Sequence, residues 1–253
     1  MPLRILSYNM LAGGENRLPL IAGVIQHQHP HLVALQEARN RSNAEALAHQ
    51  LDMSLTIGEA HNTNKDHVVW LSRLPVVHAQ NHPLPIFAKT LLEIEVMWQG
   101  MPLALFTTHL KAGQNLESEQ RRVAEMQTIL QLLQAHPIQS QVLVGDLNTI
   151  HPLDHPNAPA YVAALKARGE DPAAPQFPRK VIPLLLEAGY VDCYRALHPF
   201  TPEDTSYTAH KALRFDYIFA STQFAQCLSA CDIISEGDAQ SASDHFPIWA
   251  EFS

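Results

Sequence analysis

The feature of this sequence that most constrains the fold is a series of short apolar segments that each lead directly into polar residues. Leu3–Ser7 leads to Asn9, and Val142–Val144 leads through Gly145 to Asp146. Apolar runs of this length predict buried β-strands, because a helix needs a longer periodic segment. Such runs recur from one end of the chain to the other. We therefore expect sheets whose polar strand ends come together, as they do at the ligand sites of α/β proteins.

Helical periodicity is clear at two places between these segments. Leu18–Ile25 has Pro19 in its first turn, and Gln114–Ala135 repeats apolar residues at helical spacing along its whole length. The predicted strands are Leu3–Ser7, His31–Leu35, His67–Leu71, Leu91–Trp98, Pro102–Thr107, Gln141–Val144, Phe215–Ala220 and Phe246–Phe252. A chain of 253 residues with this mixture predicts one α/β (α+β) domain covering 1–253, since two-sheet domains of this size often remain undivided.

Residues 150–180 differ from the rest of the chain. They contain six prolines around one short helical pattern, Tyr161–Lys166. This composition predicts a long excursion from the core, of a kind that is uncommon in compact domains. Long ordered loops often carry function, but a plain surface insertion explains the composition equally well, so both interpretations stay open.

Charge and cysteine content exclude several classes of partner and site. The formal net charge is −8, and the 17 lysines and arginines are scattered, whereas binders of duplex nucleic acid cluster such residues. A long duplex is therefore not the expected partner. Three cysteines without a CxxC pair predict neither a disulfide framework nor a zinc site, which favours the reducing cytoplasm. No apolar run approaches the roughly 18 residues that span a bilayer.

Residues capable of metal or acid–base chemistry follow four of the apolar segments and precede the last one. They are Asn9, Glu37, His109, Asp146, Asn148, Asp244 and His245. Carboxylate and amide oxygens suit a hard cation such as Mg2+, and histidines suit proton transfer or the stabilisation of an oxyanion. Taken singly, each residue is explained as well by a turn, a solvated carboxylate or a bystander histidine. The combination indicates a shared site.

These residues lie in motifs that resemble those of the endonuclease/exonuclease/phosphatase superfamily. The motifs occur in the family's order and are Tyr8-Asn9, Leu35-Gln36-Glu37, Leu71-Ser72-Arg73-x-Pro75, Thr108-His109-Leu110, Val144-Gly145-Asp146-Leu147-Asn148, Arg214-Phe215-Asp216-Tyr217-Ile218 and Ser243-Asp244-His245. Single motifs are common strings, but seven in order along residues 4–252 are specific. The resemblance implies the deoxyribonuclease I-like fold, a four-layer α/β/β/α sandwich in which helices flank two mixed β-sheets.

The same resemblance implies a metal site, and the position of Arg73 at a strand end suggests a substrate contact. Glu37 would be the principal metal carboxylate, with Asn9 beside it and Asp244 as a direct or water-mediated ligand. The expected ion is Mg2+, with Mn2+ as the alternative. Arg73 would reach a substrate phosphate from its strand end, although a salt bridge that supports the sheet explains an arginine there at least as well.

The resemblance also implies a catalytic set. Asp146 would orient or deprotonate the attacking water, and Asn148 would hold water or phosphate. His109 and His245 would contact the phosphate and stabilise charge in the transition state. Asp216 would accept a hydrogen bond from His245. Asp146 and the His245–Asp216 pair both remain candidates for the general base, with Asp146 favoured.

Three functions are consistent with these observations. The first is a metal-dependent phosphodiesterase or phosphatase acting on a small or single-stranded phosphoester, and the second is a nuclease acting on duplex DNA. The acidic charge and the scattered basic residues favour the first. The third is a non-catalytic binding module on the same fold, but such modules usually lose metal-binding or water-activating residues, and the expected set is complete here.

Overall fold

Two six-stranded β-sheets form the centre of the molecule in the computed structural model, which describes residues 2–154, 163, 166, 179–201, 207–209 and 213–253. Sheet 1 has the order β11-β12-β1-β2-β4-β3, and sheet 2 has the order β5-β6-β7-β8-β10-β9. The strands are β1 Leu3–Asn9, β2 Leu32–Gln36, β3 Ser54–Gly58, β4 Val68–Ser72, β5 Val76–His82, β6 Leu91–Trp98, β7 Met101–His109, β8 Gln141–Asp146, β9 Tyr190–Asp192, β10 Asp216–Ser221, β11 Leu228–Ile233 and β12 Ile248–Phe252.

Helices flank the two sheets, and most of them cover the outer faces. They are α1 Leu18–His27, α2 Arg41–Leu51, α3 Leu116–Ala135, α4 Val181–Glu187, α5 Cys193–Leu197, α6 Thr222–Ala225 and α7 Ala239–Ala242, with a 3-10 turn at Glu15–Arg17. The predicted helix Gln114–Ala135 begins at Leu116 because the Asn115 side chain accepts a hydrogen bond from the Ser118 amide at 2.8 Å and so caps it. It ends before His136-Pro137, where the proline disfavours helical backbone at the preceding residue.

Three apolar clusters account for the layers. One lies between the sheets and includes Ile5 of sheet 1 and Val144 of sheet 2. A second joins α1 and α2 to the outer face of sheet 1, and a third joins α3 and α4 to the outer face of sheet 2. The expected four-layer α/β/β/α sandwich is confirmed. None of the helices among the described residues has the length and apolar character that crossing a membrane requires.

Strand pairing brings the predicted site residues to one edge of the sandwich. In sheet 1 the parallel strands β1 and β2 end together, with Asn9 opposite Gln36. In sheet 2 the parallel strands β7 and β8 end together, with His109 opposite Asp146, and the antiparallel β10 starts at Asp216 opposite the same aspartate. Because all four strands run toward the same edge, side chains that are distant in sequence meet there.

Gly145 is required at the end of β8 by a close approach of two strands. Its φ is +141°, and a Cβ atom built on it would overlap the Thr108 carbonyl oxygen of β7. Only glycine combines this backbone conformation with this spacing. The residue therefore fixes the distance between His109 and Asp146, the residues that follow Thr108 and Gly145 in the two strands.

The predicted excursion at 150–180 lies largely outside the described residues. Of the predicted helix Tyr161–Lys166, Ala163 and Lys166 are described, and both are helical and exposed.

Candidate active site

Asn9 and Glu37 meet where β1 and β2 end. The Asn9 Nδ2 atom donates to Glu37 Oε1 at 3.3 Å and to Asp146 Oδ2 at 3.0 Å, and so links the two sheets. Its Oδ1 atom accepts from the Leu11 amide at 3.0 Å. The other Glu37 oxygen accepts from the Ala12 amide at 2.9 Å, and Glu37 adopts the left-handed region, with φ 57°. A bulky residue in this region is unusual and is typical of functional sites that hold a side chain in one orientation.

Asp146 is the centre of the cluster. Its side chain is 1% exposed. His109 Nε2 lies 3.4 Å and His245 Nε2 lies 3.8 Å from Asp146 Oδ2, the oxygen that also accepts from Asn9. The backbone amide of Asn148 donates to the other oxygen of Asp146, Oδ1, at 2.9 Å. Burial and the nearby charge of Asp216 raise the pKa of Asp146 to about 6, against the lowering effects of His245 and the hydrogen bonds.

His245 and Asp216 form a buried pair. His245 Nδ1 lies 2.8 Å from Asp216 Oδ2, and the carboxylate is fully buried. Burial alone would lower the pKa of His245, but the charges of Asp216, Asp146 and Asp244 outweigh it and raise the pKa to about 10. The Thr208 hydroxyl accepts from the Asp216 amide at 2.9 Å and helps to place the start of β10. His245 is therefore a cation at neutral pH.

His109 has the opposite electrostatic character. Burial and the charges of Lys89 and His245 hold the pKa of His109 well below its usual value, so this imidazole is neutral at pH 7. Its Nδ1 atom has no hydrogen-bond partner among the described residues. A neutral histidine and a cationic histidine thus lie on two sides of Asp146.

Asn148 and Asp244 complete the predicted set. The Asn148 side-chain nitrogen donates to the Leu110 carbonyl at 3.3 Å, and Asn148 is left-handed, with φ 50°. Asp244 precedes His245, and its charge contributes to the raised pKa values of His245 and Tyr8. The Oδ1 atom of Asp244 is buried without a hydrogen-bond partner in the part of the chain that is described.

A polar bridge beneath the cluster joins the two sheets. The buried Gln36 Nε2 atom donates to Ser7 Oγ and to Thr107 Oγ1, both at 3.2 Å. Gln36 precedes Glu37 and Thr107 precedes the His109 strand end by two residues. Because buried polar groups with good partners hold a single arrangement, this bridge fixes how the two halves of the site face each other.

Two basic residues at the site were not identified from the sequence. Arg39 Nη2 lies 3.5 Å from Glu37 Oε2, and its Nε donates to Asp66 Oδ1 at 2.5 Å. Lys89 is buried and donates to the Leu110 carbonyl at 3.1 Å. Burial lowers the pKa of Lys89, although the charge of Asp146 opposes this. The position of Arg39 two residues after Glu37 was a usable signal, whereas Lys89 lies in a loop with no recognisable motif.

Arg73 does not join the cluster. Its side chain donates to the Pro30 carbonyl at 3.2 Å and to the Asp52 carbonyl at 3.3 Å. These carbonyls lie at the end of sheet 1 where β2 begins, whereas Glu37 follows the end of β2. The expectation that Arg73 reaches a substrate phosphate is wrong for this arrangement, because the side chain ties loops together at the opposite end of the sheet.

The donor set fits a divalent cation. Glu37, Asn9 and Asp244 offer oxygen atoms, which suit Mg2+ or Mn2+, and the unpartnered Asp244 oxygen lacks the hydrogen bond that a buried carboxylate needs. Asn9 would ligate through its Oδ1, which here accepts from Leu11. One ligand atom each from Asp146, Asp216 and His245 also lies within 4.8 Å of the others. Crowded carboxylates of this kind are relieved by a bound cation.

Comparisons with known proteins agree with the fold described above. The model of the Endonuclease/Exonuclease/phosphatase family matches residues 6–245. An AP endonuclease from Archaeoglobus fulgidus has a TM-score of 0.76 and 20% identity, with 99% of each chain covered. The 3' phosphatase NExo from Neisseria, bound to a product DNA hairpin, has a TM-score of 0.73 and 20% identity, with 99% of each chain covered.

A third solved structure shares the fold at a similar level. D. rerio TDP2 complexed with single strand DNA product has a TM-score of 0.72 and 21% identity, and the alignment covers 100% of this chain and 99% of that one. At these identities the structures show a common fold. No match was found among curated protein sequences.

Proposed function

This chain belongs to the endonuclease/exonuclease/phosphatase family, and on that premise we propose that it hydrolyses a phosphodiester or phosphomonoester with the aid of a bound Mg2+ ion. The observation that carries the proposal is the convergence of three side chains on one buried oxygen, Asp146 Oδ2. Asn9 and His109 approach it from the ends of β1 and β7, and His245 approaches it from the loop before β12. Such an arrangement suits the activation of a water molecule beside an anionic phosphate.

Glu37, Asn9 and Asp244 would hold the ion. When bound, it supplies Lewis-acid stabilisation of the phosphoryl oxygens and of the leaving oxygen. All three residues offer oxygen donors, a preference shared by Mg2+ and Mn2+. Arg39 beside Glu37 would keep that carboxylate oriented.

Asp146 would accept the proton of the attacking water. Its pKa of about 6 leaves it ionised at neutral pH and close to the value at which a general base works best. His245 is the weaker candidate because a pKa of about 10 keeps it protonated, so it has no nitrogen lone pair to offer. We therefore assign the base to Asp146.

His245 and His109 would stabilise the phosphoryl group in different ways. The cationic His245, held by Asp216, would attract the negative charge that develops on the phosphate oxygens. His109 is neutral and would act as a hydrogen-bond donor. Asn148, whose amide also holds Asp146, would fix water or phosphate on the same side.

A small or single-stranded phosphoester is the substrate that the charge of the chain supports best. The net charge of −8 repels the dense phosphates of a duplex, and the lysines and arginines are scattered along the sequence. Single-stranded DNA is the product bound by the D. rerio TDP2 structure. Cleavage of duplex DNA stays the second candidate, because the same catalytic set would serve it.

Two substitutions test the chemical assignment. Asp146→Asn and His245→Ala should each lower kcat by about 100- to 10,000-fold, the usual contribution of one acid–base or charge-stabilising group. Asp232→Asn and His49→Ala, at exposed positions, are matched controls that should retain turnover. Near-normal kcat in a purified, folded Asp146→Asn variant would remove Asp146 from the mechanism.

A substrate panel tests the specificity. Phosphomonoesters, small diesters and single-stranded and duplex oligonucleotides are assayed with Mg2+, with Mn2+ and with chelator. We expect small or single-stranded substrates to give the highest kcat/KM with Mg2+. A long blunt duplex that is cleaved faster than the matching single strand would contradict the proposed substrate class and leave the phosphoesterase assignment intact.

A further inference from the structure

Three histidines and two glutamates gather on the outer face of sheet 2. They are separate from the strand ends that carry Asn9 and Asp146, which we call the catalytic edge. This distal cluster consists of His78, His82, Glu93, Glu95 and His136. Leu92, Ile94 and Val96 of β6 face the core between the sheets. Because side chains alternate along a strand, Glu93 and Glu95 point to the opposite face.

The neighbouring elements bring the histidines to the same face. In the antiparallel β5–β6 pair, His78 is opposite Glu95 and His82 is opposite Leu91, and residues opposite each other share a face. His136 follows the last residue of α3, which packs on this side of the sheet. Its ring meets that of Phe106, with centroids 5.6 Å apart and planes at 89°. Two strands and a helix end therefore converge.

The distances within the distal cluster are those of a ligand set. His136 Nε2 lies 3.1 Å from Glu93 Oε1 and 3.5 Å from Glu95 Oε1, and His78 Nε2 lies 3.8 Å from Glu93 Oε1. One donor atom each from His78, Glu93 and Glu95 lies within 4.8 Å of the others. Tetrahedral zinc with bonds of about 2.0–2.1 Å separates its ligands by about 3.3 Å, so small side-chain movements suffice to close the site.

Some residues of the distal cluster are open to solvent, and another is buried and held by a hydrogen-bond partner, as a metal site requires. The side chain of His78 is 49% exposed and that of Glu95 is 23% exposed, which gives an ion a route from solvent. Glu93 is only 6% exposed. Its second oxygen, Oε2, lies 2.9 Å from His82 Nε2, and an outer partner of this kind commonly orients a ligating carboxylate.

We propose that the distal cluster binds one Zn2+ ion, with His78, Glu93 and Glu95 as its protein ligands, water as the fourth ligand and His82 as the residue that orients Glu93. Imidazole nitrogens select zinc and related late transition metals over Mg2+, which the all-oxygen set of the catalytic edge prefers. The ion would tie the edge strand β5 to β6. His136, whose Nδ1 accepts from the Ile138 amide, would donate from Nε2 to the ligating Glu93 carboxylate. The site is separate from the catalytic residues, which lie at the strand ends between the sheets.

Zinc titration of the full chain, with any affinity tag removed and the catalytic edge saturated with Mg2+, tests the proposal. Isothermal titration calorimetry should show one Zn2+ site per chain. His78→Ala and Glu95→Gln, both at accessible positions, should each weaken it by at least about 10- to 100-fold, the loss usual for even an outer-shell change. His49→Ala, an exposed histidine on α2, should bind like the wild type.

Two further readouts identify the metal's ligands and separate them from catalysis. Co2+ should give the visible absorption of a tetrahedral site in the wild type and lose it in His78→Ala. Phosphoester hydrolysis with Mg2+ should be unchanged in the same variant. The proposal is overturned if zinc binds with equal affinity to wild type and to both variants, or if the Mg2+-saturated wild type binds none.

Discussion

Replacing Asp216 with asparagine isolates the electrostatic role of the buried pair at the catalytic edge. The carboxylate lies 2.8 Å from His245 Nδ1 and is fully buried, so solvent screens the interaction weakly. The substitution keeps the size of the side chain and removes its charge. Burial of His245, which opposes the cation, remains. The pKa of His245 must therefore fall.

The size of the fall follows from the charge removed. Two unit charges with centres about 4 Å apart interact by about 4 kcal/mol at the effective dielectric constant of 20 that suits protein sites. Since one pKa unit corresponds to about 1.4 kcal/mol, this interaction is worth about 3 units. Starting from the wild-type value of about 10, we expect the pKa of His245 in Asp216→Asn to lie near 7.

The measurement is the pH dependence of kcat/KM, which reports groups of the free enzyme. The proposed mechanism uses the cationic form of His245, so activity should be lost as pH rises through its pKa. The alkaline limb should move from about pH 10 to about pH 7. At pH 8.5, His245 would be protonated in only about 3% of the variant molecules. Its kcat/KM at that pH should therefore be about 30-fold lower than its own value on the acidic side of the limb.

Asp192→Asn is the matched control. Asp192 is also a buried aspartate in an ion pair, 2.7 Å from Arg214, but it lies outside the catalytic cluster. Its loss should lower stability and leave the alkaline limb in place. An unshifted limb in an active Asp216→Asn variant, or an equal shift in the control, would refute the role assigned to the pair.

Three further predictions concern the metal and the frame of the site. Chelation should abolish hydrolysis, and activity that survives chelation would contradict a metal-dependent reaction. Mg2+ restored at 100 times its Kd should raise the free energy of unfolding by about 2.7 kcal/mol. Gly145→Ala should cost about 3 kcal/mol through overlap with the Thr108 carbonyl, whereas Gly100→Ala, with open space around it, should cost about 1–2 kcal/mol from backbone strain alone. Equal midpoints in urea would refute this reasoning. Arg122→Ala should cost about 3–5 kcal/mol because it removes the counter-ion of the buried Glu119. The half-buried neighbour Arg121→Ala, measured by the same unfolding curve, should cost far less.

The central strands and the residues at their ends were predictable because burial leaves a record in the sequence. β1, β2 and β8 are buried along almost their whole length, so their apolar runs stand out. The polar residues that follow them stand out for the same reason. Parallel pairing brings Asn9 to the end of β2 and His109 to Asp146. The meeting of Asn9 with Asp146 also requires the two sheets to stack with these ends together.

The edge strands were not predictable in the same way. β5 is mostly exposed, and β3 has one buried residue in five. Such strands form because their backbones pair with a neighbour, which leaves no apolar run to read. The distal cluster was missed for this reason, since His78 and His82 acquire meaning only when β5 is placed beside β6.

The basic residues show the limits of sequence reasoning most clearly. A substrate contact was considered for Arg73, beside a supporting role in the sheet, because it follows a strand. An antiparallel strand carries its end to the opposite edge of the sheet. Lys89 enters the site from a loop, and its burial depends on the fold of β6 and β7 around it. Strand order and direction decide both cases, and neither is written in the local sequence.

The electrostatics of the catalytic edge favour an enzyme over a binding module. Asp146 is buried with its pKa raised to about 6, and Glu37 and Asn148 hold left-handed backbone conformations. Each of these features destabilises the folded chain, and a protein that only needed this fold would be more stable without them. They make physical sense where a cation and an anionic phosphate arrive together, because the cation offsets the carboxylate charge and the fixed side chains meet the phosphate without reorganising. Mg2+ and inorganic phosphate added together should therefore stabilise the wild type more than the sum of their separate effects, and that excess should disappear in His245→Ala.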